Sequence, residues 1–93
     1  MILQILSSVS FANADLELGK SALQSKNYKQ AQESLTLCLS KSPNNEECLW
    51  EIGWAYWMMS QWDQVVKNWT HLKSINPAHS GLKEYLPQAT TFC

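Results

Sequence analysis

Three cysteines, two histidines and five tryptophans are the residues of this 93-residue chain whose types could do chemistry. Thiolates and imidazoles bind metals when they converge, and a Cys–His pair can supply a nucleophile. Cys38, Cys48 and Cys93 form no C-x2-C pair, and neither His71 nor His79 has a second ligand at metal-binding spacing. No glycine-rich phosphate loop occurs. Asn68-Trp69-Thr70 matches a glycosylation sequon, but it lies inside a helical pattern with Trp69 on the apolar side. No catalytic residue, metal or cofactor is expected. The remaining chemistry is apolar: Trp50, Trp54 and Trp57 recur at i, i+4 and i+7, with Met58 beside them, so they share one helix face.

The elements that carry these residues read as helices. A composition of 45% hydrophobic and 16% charged residues suits one small folded domain. Only 3 glycines and 3 prolines favour long regular elements over a turn-rich β fold. A net charge of -1 leaves no basic footprint for nucleic acid and no polybasic patch for anionic lipid. The apolar run from Met1 to Phe11 is too short to span a bilayer. With Ala12-Asn13-Ala14 after it, residues 1–14 read as a secretory signal peptide lacking its basic start. An extra N-terminal helix is the alternative, because Ile2, Leu3, Ile5, Leu6 and Val9 also recur at helical spacing. Export would make the protein periplasmic or secreted; without it, the protein would be cytoplasmic.

Beyond this run, the chain repeats itself. Laying residues 12–45 over 46–79 aligns Gly19 with Gly53, Gln30 with Gln64 and Pro43 with Pro77, with conservative pairs such as Leu18/Ile52, Ala31/Val65 and Leu35/Trp69. Each copy divides into two amphipathic segments, about 12–25 and 28–40, then 46–59 and 62–75. Asn44 or Asn45 can cap the third segment, with Glu46 and Glu47 in its first turn. The expected class is all-α: two antiparallel helical hairpins stacked as a solenoid. Pro87 falls where the copies have Gly19 and Gly53, so residues 80–86 read as a short capping helix and 88–93 as a loose tail.

Period and spacing resemble the tetratricopeptide repeat family. The second copy has Leu49, Ile52, Gly53 and Tyr56, then Val65, Trp69 and Pro77, at the family's W-x2-L-G-x2-Y, A-x3-F and P positions. The first has Asp15, Leu18, Gly19 and Ala22, then Ala31, Leu35 and Pro43, with Asp15 and Ala22 departing most from the pattern. The resemblance implies a non-catalytic scaffold that binds a protein or peptide partner on a concave groove. It places Leu16, Lys20, Leu23 and Gln24 there from the first copy, and Trp50, Trp54, Trp57 and Met58 from the second. Trp62 and Trp69 are then structural. The family's carboxylate-clamping variant does not carry over, since the matching slots hold Leu16, Lys20 and Glu51. Two repeats fall short of the usual three, so a homodimer burying the aromatic stripe is a further expectation. A structural or assembly subunit of an envelope complex is the alternative function.

Cys38 lies near the end of one hairpin and Cys48 at the start of the next, across a short turn. In an exported chain they could form a disulfide that staples the hairpins together. Otherwise they are small buried thiols at a helix contact. Cys93 is left unpaired.

Overall fold

The structure is a computed structural model that describes residues 11–93. It is all-helical, and no strand occurs among the described residues. Five helices follow one another: α1 (Phe11–Gln24), α2 (Tyr28–Lys41), α3 (Glu46–Met58), α4 (Trp62–Ile75) and α5 (Ser80–Phe92). α1 packs on α2 and α3 on α4 as hairpins, while α2 meets α3, α4 meets α5 and α1 touches α3. None of the five is long and apolar enough to cross a membrane. The N-terminal segment read as a signal peptide or extra helix lies outside the described residues up to residue 10, and Ala12-Asn13-Ala14 sit at the start of α1.

The backbone repeats along with the sequence. Both hairpin turns pass through a left-handed residue, Lys26 at φ 65° and Ser60 at φ 58°. The turns close alike, Asn27 N–H donating to Ala22 C=O at 2.8 Å and Gln61 N–H to Tyr56 C=O at 2.9 Å. Both second helices end alike, at Ser42 (φ -142°, ψ 82°) and Asn76 (φ -139°, ψ 82°). The members of each pair are separated by one full repeat. At the start of α3 the Asn45 side chain accepts from Cys48 N–H at 3.0 Å, satisfying one of the orphan donors of a helix end.

Two apolar clusters hold the stack. In one, Leu35 and Cys38 of α2 meet Leu16 and Ala22 of α1 and the Cys48, Ile52 and Ala55 stripe of α3. In the other, Val65, Trp69 and Leu72 of α4 meet Leu49 of α3 and the Leu82 and Ala89 stripe of α5. The glycines permit the closest approaches. A Cβ on Gly19 would lie 2.5 Å from Leu35 Cγ, and one on Gly53 would overlap the Trp69 indole. Asp15, the odd residue of the first copy, is buried at 9% exposure and bonds Lys41 Nζ at 2.7 Å. The corresponding residues of the second hairpin are Leu49 and Ile75, both in the second apolar cluster. An ion pair thus stands in the first hairpin where the second uses apolar packing.

The C-terminus differs from the sequence expectation. No loose tail follows a short cap; α5 continues through Pro87 to Phe92. A proline inside a helix removes one backbone bond and costs about 3 kcal/mol. Burial on both sides of it opposes that cost: Leu82 is 4% and Ala89 0% exposed, and Phe92 lies 4.7 Å from the Trp62 ring. Side chains also serve nearby carbonyls, Thr90 Oγ1 donating to Leu86 C=O and Thr91 Oγ1 to Pro87 C=O, both at 2.9 Å.

Candidate functional site: an aromatic face on the third helix

Successive turns of α3 carry Trp50, Trp54 and Trp57 down one side, as their spacing requires. Trp50 stacks on Trp69 of α4, with centroids 4.7 Å apart and planes 22° apart. The Trp69 indole N–H donates to the Trp50 carbonyl at 3.2 Å, so its one polar atom is satisfied inside the core. Trp54 meets Trp57 at 5.1 Å, and Trp57 meets the edge of Trp62 at 5.0 Å. Such tilted and edge-to-face contacts suit the ring quadrupole.

α5 then lies over this row. Tyr85 packs edge-on against Trp54 at 4.9 Å, and Phe92 reaches Trp57 at 6.2 Å. Gly81 admits the start of α5, since a Cβ there would overlap the Trp50 ring. His79 caps the row, its ring 4.7 Å from Trp50 and its Nδ1 buried without a hydrogen-bond partner among the described residues. The tryptophan stripe is therefore half-buried, with α5 on it. Tyr85 falls within the capping segment that the sequence offers as a cover for this end of the stack, whereas sequence reasoning missed Phe92, because Pro87 reads as the end of the helix before it.

The other expected groove residues are dispersed. Leu16 is 4% exposed and belongs to the first core cluster, so it does not line an open groove; contact of α1 with both α2 and α3 covers it. Leu23 is half-buried against the same cluster, while Gln24 is exposed. Lys20 bridges α1 to α3, donating to Glu47 Oε2 at 3.2 Å with Glu17 at 3.9 Å. That bond and the carboxylates around it raise the lysine's pKa. Burial pushes the Glu51 carboxyl up, against the pull of Lys20 and with the help of Glu47. Met58 remains 51% exposed and Phe92 55%. These two occupy the same slot of successive units. Phe92, whose ring meets the half-buried Trp57 and Trp62, forms with them an apolar edge that the fold leaves open, and Met58 follows Trp57 in the chain. Trp69 is fully buried as expected, whereas Trp62 sits at the rim of the cluster.

Cys38 and Cys48 are joined as a disulfide between α2 and α3, their Cα atoms 6.5 Å apart, and both residues are fully buried. Cys93 is exposed. His71 pairs with the Asn44 side chain at 3.0 Å. Among the described residues no three His, Cys, Asp or Glu side chains gather as metal ligands.

Fold and site together define a stack of helical hairpins of the repeat type, with an aromatic row along one helix and an apolar edge at its end. No family model matches the sequence, and no curated protein matches it.

Proposed function

We infer that this protein is a non-catalytic protein–protein interaction scaffold of the tetratricopeptide type, taking a peptide or partner helix against its aromatic face. The regular recurrence of turns, caps and buried slots supports the family reading. The observation that carries the function is the uncovered edge: Phe92, more than half exposed, continues the row of Trp57 and Trp62, and Met58, also more than half exposed, follows Trp57 in the chain. Exposed large apolar side chains beside half-buried aromatics are what a binding hot spot needs.

The test is a displayed-peptide selection on the oxidised protein, followed by a tryptophan-fluorescence titration with a selected peptide. Phe92→Ser and Met58→Ser remove exposed side chains that lie outside the two buried clusters. Together they should weaken binding by roughly 30-fold, the scale of a hot-spot truncation. Undiminished affinity in the double variant would remove the reading.

A second reading, a structural or assembly subunit in the cell envelope, draws on the Cys38–Cys48 disulfide. Disulfides persist in oxidising compartments, which fits a periplasmic or secreted protein. Recovery only as part of a larger assembly, never as a free monomer, would favour it.

A further inference from the structure

The outer side of α5 forms a second, separate surface. A cavity of about 420 Å³ opens there between α4 and α5, lined by Lys73, Leu82, Lys83, Leu86, Pro87 and Thr90 among others. The matching positions one repeat earlier are Leu39, Cys48, Leu49, Ile52, Gly53 and Tyr56. At that earlier position the space is filled: α4 lies in it, with Trp69 against Gly53 and with Val65 and Leu72 in the cluster that holds Leu49. The cavity is thus the seat of a hairpin's second helix. No described helix occupies it beside α5.

Charge identifies what would sit there. Asp15, Leu49 and Lys83 are the same slot in three successive units. Asp15 pairs with Lys41, the last residue of the second helix in its hairpin. The next hairpin has Leu49 and Ile75 in those two positions, both in one apolar cluster. In the third unit the slot is an exposed Lys83, with Lys73 on the opposite wall, and a helix docked here would match it with an acid in its last turn. None of the five helices carries Asp or Glu in its last turn, so a second copy does not offer that match. Pro87, where the earlier units have glycine, adds a ring to the floor and calls for a small residue opposite.

We propose that the α4–α5 cleft is a docking site for an amphipathic helix of a different polypeptide, which completes the third hairpin and presents an acidic side chain to Lys83. Its apolar residues follow the i, i+4, i+7 spacing of Ala31, Leu35, Cys38 and of Val65, Trp69, Leu72. A small residue stands at i+4, facing Pro87, and the acid stands at i+10, as Lys41 does from Ala31. The proposal rests on the scaffold reading but uses the opposite side of α5 from the aromatic edge.

The probe is a stapled helical peptide with Leu, Ala and Leu at i, i+4 and i+7 and Glu at i+10, labelled for fluorescence anisotropy. A sister peptide carries Lys at i+10. The Glu peptide should bind saturably, and Lys83→Glu should weaken it by roughly three- to tenfold while improving the Lys peptide. Lys83 is exposed, so this variant keeps its fold. The Met58→Ser/Phe92→Ser variant should bind the Glu peptide as the parent does. Absence of saturable binding, or equal affinity of both peptides for parent and Lys83→Glu, overturns the proposal. Loss of binding in the Met58→Ser/Phe92→Ser variant with Lys83→Glu unaffected also overturns it, and leaves the aromatic-edge reading standing.

Discussion

Gly53 sits in the middle of α3, where alanine would ordinarily be the better residue. In an exposed helix the change to alanine gains about 1 kcal/mol. Here the new methyl group would overlap the five-membered ring of Trp69, reaching within 2.7 Å of Cδ1 and closer still to Nε1 and Cε2. Trp69 is fully buried and planar, so it has little room to turn aside. Overpacking of this kind costs roughly 1–3 kcal/mol. A displaced indole also loses its hydrogen bond to the Trp50 carbonyl, worth about 1 kcal/mol, and part of its stacking on Trp50, worth about 0.5–1.5 kcal/mol. Set against the helix gain, the net loss is about 2 kcal/mol. For a domain of this size that corresponds to a fall in Tm of roughly 8–16 °C.

The assay is thermal and urea unfolding of Gly53→Ala beside Trp69→Leu and the double variant. Gly19→Ala is the companion, since it meets the branched end of Leu35, which can shift more easily than an indole. Gly53→Ala should be the more damaging of the two. It should also be less damaging on the Trp69→Leu background, with a coupling of about 1 kcal/mol or more. A Tm that rises in Gly53→Ala, or a coupling near zero, would refute the close approach of α3 to α4 on which the aromatic face depends.

Removing the disulfide with Cys38→Ala/Cys48→Ala should cost about 2–3 kcal/mol, the loop entropy of a short cross-link, and reductant should bring the parent to a similar urea midpoint. Glu51→Gln should raise stability near neutral pH. Burial lifts the folded carboxyl above its unfolded value, so stability is greatest below the unfolded pKa and declines as pH rises through the folded one. The glutamine's advantage should therefore appear at pH 7 and shrink at about pH 4, where the unfolded carboxyl itself takes up protons. Urea titrations at the two pH values check it, and an advantage that grew on acidification would be the wrong sign.

The helix boundaries were legible because punctuation and period agree. Asn45 caps α3, Pro43 and Pro77 follow the second helices, and Gly19 and Gly53 mark the contact points. Pro87 misled for a physical reason: local propensity gave way to burial of Leu82 and Ala89 on either side of it. The aromatic stripe was legible as a stripe, but its exposure was not. Spacing shows that Trp54 and Trp57 share a face and offers residues 80–86 as a partial cover; the docking of Tyr85 and Phe92 shows how far the cover reaches. Asp15 looked like a defect in the repeat. Its partner Lys41 is one hairpin turn away, and pairing an acid at that slot with the last residue of the second helix would have found it.

One slot pair ties these observations together. Cys38 and Cys48 join the first hairpin to the second; their counterparts one repeat on, Leu72 and Leu82, are buried together at the joint between α4 and α5. The same backbone turn precedes both joints, with Asn45 N–H donating to Ser42 C=O and His79 N–H to Asn76 C=O, each at 3.1 Å. The position is therefore an apolar contact between units first, and oxidation adds a covalent tie to a contact that leucines make elsewhere in the chain. The two faces of α5 follow the same logic. Toward α4 it keeps the buried slots of α3, with Leu82 and Ala89 in place of Cys48 and Ala55. Outward it trades Leu49, Gly53 and Tyr56 for Lys83, Pro87 and Thr90. Lys83 and Thr90 carry polar side chains on that outward face. The polar face alone does not account for the apolar hollow at Leu82 and Leu86 between two lysines. A surface meant only for water has no need of one, whereas a helix with a charge of its own would fill it.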